Sequence, residues 1–169
     1  MKFNKLKSCP EILKSKEFKE VLYHISLNEN LEGEWIPQVP YDASANEPSF
    51  PRICCSTSLE GCFYAIYKSI NAPFYNGVEY LDFYVYEPQI NPLTTFVVSN
   101  KVIVDNKMVF DAHMTLEHFI CSPVYMKKIG ILRVFNPLNN DEIHYHLFND
   151  RNNKKCFLSY KADFYYLPI

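Results

Sequence analysis

The segment of residues 21–66 limits the possible folds of this chain more than any other part of it. A short β-rich apolar run at residues 20–26, containing Tyr23-His24-Ile25-Ser26, predicts a buried strand. Residues 28–51 follow with several prolines and Gly33, a composition that predicts a long loop. Because loops of that length are uncommon inside compact domains unless they are functional, we expect this one to lie over or beside a cleft.

A second strand and a helix follow this loop. Residues 53–55 predict a short strand, and either Ser56 or Thr57 is a natural N-cap for a helix. Glu60 stands three residues after Thr57, a spacing that predicts a capping box. Apolar residues at helical spacing over residues 59–70 then predict the helix itself. The predicted order is therefore strand, long loop, strand and helix.

The rest of the chain is predicted to be mostly β-structure. Runs of β-branched and aromatic residues predict short strands at residues 80–86, 96–98, 102–104, 128–135, 141–148 and 156–160. The run 128–135 is predicted to pair with 141–148 through the turn between them. Early helices followed by many short strands predict an α+β fold with a split or curved β-sheet and a few helices. The length of 169 residues suits a single domain, residues 1–169.

Composition argues against several classes of partner. A formal net charge of −2 provides no general attraction for nucleic acid, so no direct nucleic-acid contact is expected. No apolar run reaches the roughly 18–20 residues that span a bilayer, so no membrane association is expected. Residues 1–7 are basic but lack the apolar run of a signal peptide. The six cysteines are therefore expected to be reduced thiols in a cytoplasmic protein.

Two short motifs, in this order, resemble the core of a known enzyme family. Tyr23-His24 lies on the first predicted strand, and Ser56-Thr57 ends the second, directly before the helix. The pattern is similar to the His-Tyr-Glu branch of the ADP-ribosyltransferases, the branch that includes the diphtheria-type toxins. The resemblance implies an ADP-ribosyltransferase-like domain with a cleft for NAD or a related nucleotide.

The resemblance assigns roles to particular residues. In that branch the histidine, here His24, binds the NAD ribose, and a glutamate near the start of a later strand, here Glu117, orients the ribose. A carboxylate at that place stabilises the positive charge that develops on the sugar carbon as nicotinamide leaves. His24 and Glu117 are thus the candidate catalytic residues. The candidate cofactor-binding residues are Tyr23, His24, Arg52, Ser56, Thr57, Tyr64 and Tyr67.

One position departs from the family pattern. Cys55 stands where the family has its first stacking aromatic residue, and a thiol cannot hold the nicotinamide ring as an aromatic face does. Two functions therefore stay open. The first is an NAD-dependent ADP-ribosyltransferase that modifies a host protein and so inactivates a component of host defence. The second is a non-catalytic domain of the same fold that binds a host defence protein or a nucleotide directly.

The small size of the chain is also similar to that of phage-encoded anti-defence proteins, including anti-CRISPR proteins, some of which look like ADP-ribosyltransferases. That resemblance implies a protein made inside the cell it manipulates, acting in the host cytoplasm on a host protein.

Other residue patterns predict different chemistry. His144 and His146 lie two apart on one predicted strand face, a spacing found in metal sites, although no third ligand is indicated. His113 and His118 flank Glu117 and could pair with a thiol in a Cys-His hydrolase, although no local signature of that class is present. A zinc-dependent hydrolase is the most distant hypothesis.

Overall fold

The fold is known from a computed structural model that describes residues 18–41, 47–139, 143–150, 153–160 and 162–169. For residues 143–150, 153–160, 68 and 69 the description covers the backbone alone. The strands are β1 (His24–Ser26), β2 (Gly33–Trp35), β3 (Ile53–Ser56), β4 (Tyr80–Pro88), β5 (Val97–Val98), β6 (Glu117–Ile120), β7 (Val124–Phe135), β8 (Ile143–Asp150), β9 (Asn153–Tyr160) and β10 (Phe164–Pro168). The helices are α1 (Leu59–Ile70), α2 (Ala72–Tyr75), α3 (Asn100–Asp105) and α4 (Ala112–Thr115), and a 3-10 turn covers Pro137–Asn139.

A curled antiparallel sheet, shaped like half a barrel, is the largest part of this α+β fold. Its strands follow the order β1-β4-β7-β10, and β2 pairs with the beginning of β7. The β4–β7 ladder shifts register between Val85 and Tyr86, and a bulge of this kind bends and twists a strand. A second sheet has the order β3-β6-β5, and a bridge between Tyr23 and Ser56 joins it to the first. The prediction of an α+β fold with a curved sheet is confirmed.

Helix α1 packs one apolar face against the large sheet. Phe63 is fully buried there, with its ring centroid 6.1 Å from that of Phe83 on β4 and 5.5 Å from that of Phe164 on β10. Burying a side chain of this size stabilises the fold by about 1.5–3 kcal/mol. Ala65 and Ile66, elsewhere on the same helix, line the cavity described below. The helix therefore links the main core to the candidate site.

The N-terminus of α1 differs from the predicted one. Ser58 is the N-cap, and its hydroxyl accepts a hydrogen bond of 3.2 Å from the Gly61 amide. Ser56 lies two residues earlier, at the end of β3, and donates a 2.7 Å hydrogen bond to the Thr115 carbonyl. Gly61 fits here because an added Cβ would collide with the Thr115 carbonyl and the Ser56 hydroxyl. The predicted capping box from Thr57 is therefore wrong, because close packing against α4 sets the start of the helix one residue later.

The run of residues 102–104 forms part of helix α3 and not the predicted strand. Ile103 is fully buried in a cluster with Phe50 and Phe119, whereas Val104 on the next position is exposed. This one-sided burial suits a helix that packs by a single residue. Tertiary packing has overridden the β-propensity of the valine-isoleucine run.

The predicted pairing of residues 128–135 with 141–148 is also wrong. Strand β7 pairs with β4 along one edge and with β10 and β2 along the other, and β8 pairs with β9. At the end of β7 the buried Asn136 side chain donates to the carbonyls of Phe74, at 3.0 Å, and Val78, at 2.9 Å. These bonds tie the chain to α2 where a hairpin turn was expected.

The segment of residues 28–51 is not a loop throughout, because it contains β2 and a bridge from Gln38 to Arg52. Trp35, the tryptophan of this segment, is partly buried. Across the part of the chain that the structure describes, every helix is too short or too polar to cross a lipid bilayer.

Candidate functional site

One face of the small sheet brings together side chains from distant parts of the sequence. The antiparallel register sets Cys54 opposite Phe119 and Ser56 opposite Glu117. Because side chains two residues apart share a face of a strand, Arg52 lies on the same side as Cys54. Cys55 points to the other face, where it is buried in the core with Leu22 and Ile53. The departure from the family pattern at Cys55 therefore lies in the core and outside the site.

A cavity of about 920 Å³ lies over that face. Its floor includes Arg52, Cys54 and Glu117, and one wall carries His24 and Trp35. Residues 38–41 and Glu47, from the long segment between β1 and β3, form another part of the wall. The described part of this segment therefore borders a cavity, which agrees with the expectation that it lies over or beside a cleft. The volume falls near the upper end of the range for ligand pockets, about 300–1,000 Å³.

Glu117 is the most perturbed acid of the site. It is the first residue of β6 and is 8 % exposed. Burial raises the pKa of its carboxyl to about 7, with a smaller increase from the nearby Asp111 charge. Two groups lower that pKa in part. The Cys54 thiol donates a hydrogen bond to the Glu117 carboxyl, and Arg52 contributes its positive charge. Glu117 therefore exchanges a proton near neutral pH, as acid–base and charge-stabilising groups of active sites do.

Arg52 is the one arginine of the described cavity wall, and it is 3 % exposed. Its guanidinium lies 4.8 Å from the centroid of the Phe119 ring, forms an ion pair of 2.7 Å with Glu47 and donates to the Pro48 carbonyl. Its Nε is buried without a hydrogen-bond partner among the described residues. A buried donor of this kind is costly to leave unpaired, so its position on the cavity floor suits an incoming acceptor.

His24 is held in one tautomer by the sheet. Its Nδ1 lies 3.0 Å from the Cys54 carbonyl oxygen, so Nδ1 carries the proton and Nε2 is left as an acceptor. Burial lowers the pKa of the imidazole, which is opposed in part by the bond to the Cys54 carbonyl. The ring meets Trp35 edge to face, with a centroid distance of 4.9 Å. A neutral histidine whose Nε2 carries no proton can accept a hydrogen bond from a ligand hydroxyl.

The structure does not bring every predicted site residue to this cavity. Tyr64 and Tyr67 pack on Phe63 at centroid distances of 5.4 and 5.5 Å, within the core between α1 and the large sheet. Tyr23 exchanges backbone hydrogen bonds with Ser56, and the Ser56 hydroxyl is bound to Thr115. The residues that do line the cavity are His24, Arg52 and Glu117; those that lie outside its wall are Tyr23, Ser56, Thr57, Tyr64 and Tyr67. The reason is the rotation of α1, which turns Ala65 and Ile66 towards the cavity and its tyrosines towards the core.

Sequence reasoning missed most of the charged and aromatic wall. Four carboxylate residues line the cavity in the described part of the chain: Glu34, Glu47, Asp111 and Glu117. Its aromatic surface comes from Trp35, Tyr41 and Phe110. Only Trp35 carried a signal, as the one tryptophan of the chain within a long segment. Asp111 lies close enough to act on Glu117, and together these two carboxyls favour a ligand group that carries positive charge.

The described residues give little support to the alternative hypotheses of a metal site and of a Cys-His hydrolase. No group of three or more His, Cys, Asp or Glu side chains that could hold a metal lies within the described ranges. The side chains of His144 and His146 lie outside the described residues. His118 faces away from Glu117, with Nδ1 2.9 Å from the Leu116 carbonyl and Nε2 3.5 Å from Glu20.

The cavity thus combines a buried carboxyl, a neutral imidazole, an arginine and aromatic rings, all held by strands whose register is set by the sheets. His113 belongs to α4 and is not among the residues that line this cavity. Comparison with known proteins gives no match to a family model, to a curated protein or to a solved structure.

Proposed function

We propose that this chain is an ADP-ribosyltransferase that uses NAD to modify a host protein, and that it thereby inactivates a host defence component. The observation that carries the proposal is the position of Glu117. It is a buried carboxyl with a pKa of about 7 on the floor of a large cavity that it shares with His24 and Arg52. His24 and Glu117 are the residues that the sequence resemblance selected from distant segments, and Arg52 is the candidate for a diphosphate contact.

The residues of the cavity fit NAD by chemical type. The unpaired Nε of Arg52 and its guanidinium suit a diphosphate oxygen, because guanidinium groups bind phosphates through several donors. The aromatic face of Trp35 suits a flat ring. The carboxyls of Asp111 and Glu117 suit the positively charged nicotinamide end. When bound, NAD would supply the electrophilic ribose carbon and the nicotinamide leaving group.

Each residue then has a definite task. The Nε2 of His24 accepts a hydrogen bond from a ribose hydroxyl and so orients the sugar. The ionised Glu117 carboxylate, which is itself largely buried, stabilises the positive charge that develops on the ribose carbon. Since only the ionised form does this, the transfer rate should rise as pH increases through about 7, the pKa of Glu117.

The test is a transfer assay with labelled NAD and a host lysate, read by mass spectrometry for an added ADP-ribose. Glu117→Gln keeps the shape of the side chain and removes its charge. We expect its transfer rate to fall by at least roughly 100-fold, about 2.7 kcal/mol, with little change in NAD binding. Glu34→Gln, which removes an exposed charge from the same cavity, serves as the matched control and should retain most of the activity.

A second candidate is a non-catalytic domain that binds a host defence protein or a nucleotide directly. The observation that favours it is the core position of Cys55, Tyr64 and Tyr67, the positions at which the family has the two rings of its nicotinamide sandwich. This candidate predicts partner or nucleotide binding without release of nicotinamide. In that case Glu117→Gln would change partner affinity or have no effect.

A further inference from the structure

Arg52 forms its ion pair with Glu47, which is also a residue of the cavity wall. Glu47 Oε2 lies 2.7 Å from Arg52 Nη2, and both residues line the cavity. The two partners differ in exposure, since the Arg52 side chain is 0 % exposed and that of Glu47 is 26 % exposed. Glu47 is therefore the partner that can turn towards water, provided that another anion takes its place beside the buried Arg52 charge.

The guanidinium is fixed on its other sides. The Phe119 ring lies 4.8 Å from its centre, and the Pro48 carbonyl accepts from Nη1. Nε adds a buried donor with no hydrogen-bond partner among the described residues. The positive charge is thus held at a constant place in the cavity wall beneath Glu47, and the Glu47 carboxylate is the group that can be exchanged.

We infer that Arg52 is an anion subsite that Glu47 occupies in the free protein, and that a phosphate group of the ligand must displace the Glu47 carboxylate to bind. A diphosphate carries more negative charge than the carboxylate and offers acceptors to both Nη2 and Nε. The inference rests on the proposed function for the identity of that anion, the diphosphate of NAD. Glu47 then acts as an internal competitor that weakens the apparent affinity for phosphate-bearing ligands.

The competition has a direct consequence for binding. When a binding-competent state is only partly populated, the apparent dissociation constant rises in inverse proportion to that population. Removing the Glu47 charge should therefore tighten the binding of an anion at Arg52. A carboxylate elsewhere in the cavity should act only through the general field, which water and salt screen.

The experiment is isothermal titration of the intact chain with two probes, inorganic pyrophosphate and NAD. Glu47→Gln should bind pyrophosphate at least about tenfold more tightly than the wild type. Glu34→Gln, the matched control in the same cavity, should change the affinity by less than about threefold. Arg52→Lys loses the fork of donors, so pyrophosphate affinity should fall in that variant. Equal effects of Glu47→Gln and Glu34→Gln, or no effect of Glu47→Gln, would overturn the inference.

A second substitution protects the test against loss of folding, because Glu47→Gln removes the counter-ion of a buried arginine. Glu47→Asp keeps the charge but draws the carboxylate back by one methylene, and it should also tighten pyrophosphate binding, by a smaller factor. Weaker or unchanged binding in the folded Glu47→Asp protein would contradict the inference as well.

The two probes separate this inference from the proposed function. If NAD binds and reacts but Glu47→Gln leaves both affinities unchanged, the inference fails and the proposed function stands. If pyrophosphate binding tightens but NAD neither binds nor reacts, the anion subsite stands and the NAD proposal fails.

Discussion

The substitution Glu117→Gln should stabilise the folded protein at alkaline pH. In the native state burial raises the pKa of this carboxyl from 4.5 to about 7, so the folded chain holds a proton that the unfolded chain has already released. The contribution of Glu117 to the free energy of unfolding is therefore fully present below pH 4.5. It is lost as pH rises from there to 7 and above. Each pH unit inside that window is worth about 1.4 kcal/mol, so the whole window is worth about 3 kcal/mol. Glutamine carries no charge at any pH and avoids this loss.

The assay is urea denaturation followed by circular dichroism at pH 5, 6, 7 and 8. We expect the free energy of unfolding of Glu117→Gln to exceed that of the wild type by about 2–3 kcal/mol at pH 8 and by less than about 1 kcal/mol at pH 5. Glu34→Gln, at an exposed position of the same cavity, controls for the removal of one negative charge. Parallel pH curves for the wild type and Glu117→Gln would refute the reasoning.

The sign of this effect is informative about function. Stability of the wild type should fall over the same pH range in which the proposed transfer rate should rise, because both depend on ionised Glu117. Active sites often contain groups that lower the stability of the fold because catalysis requires them. A buried carboxyl that is ionised near neutral pH is a group of this kind.

Three further changes test the packing of the fold and one tests the site. Ser58→Ala removes the N-cap acceptor of α1 and should lower the free energy of unfolding by about 1 kcal/mol in urea denaturation. Gly61→Ala should cost at least about 2 kcal/mol, since the new methyl group collides with the Thr115 carbonyl; an unchanged melting curve would contradict that close contact. Phe83→Ala empties a fully buried position and should cost about 3–5 kcal/mol by the same assay. Asp111→Asn removes a charge that raises the pKa of Glu117, so the midpoint of the pH–rate profile should move to lower pH, and a shift to higher pH would argue against this electrostatic coupling.

Local sequence patterns determined the elements whose signals lie within a few residues. The helix predicted at residues 59–70 is α1, Leu59–Ile70, because apolar spacing and a serine-rich start act over one or two turns. The alternating run at 80–86 lies within β4, and Glu117 begins a strand as predicted. His24, Arg52 and Glu117 were also selected from short motifs, and they line one cavity.

The tertiary structure decided everything that depends on which strands meet. Only the register of β3 with β6 places Arg52, Cys54 and Glu117 on one face and turns Cys55 into the core. The pairing of β7 with β10, the helical state of residues 102–104 and the exclusion of Tyr64 from the cavity follow from burial against distant residues. The order of neighbouring residues in the sequence indicates the periodicity of a strand or a helix. The register of two paired strands depends instead on residues that are distant in the sequence. A shift of that register by one residue exchanges the two faces of a strand. That is why the sequence indicated several residues of the site, and only the fold could show that Glu47 is the partner of Arg52.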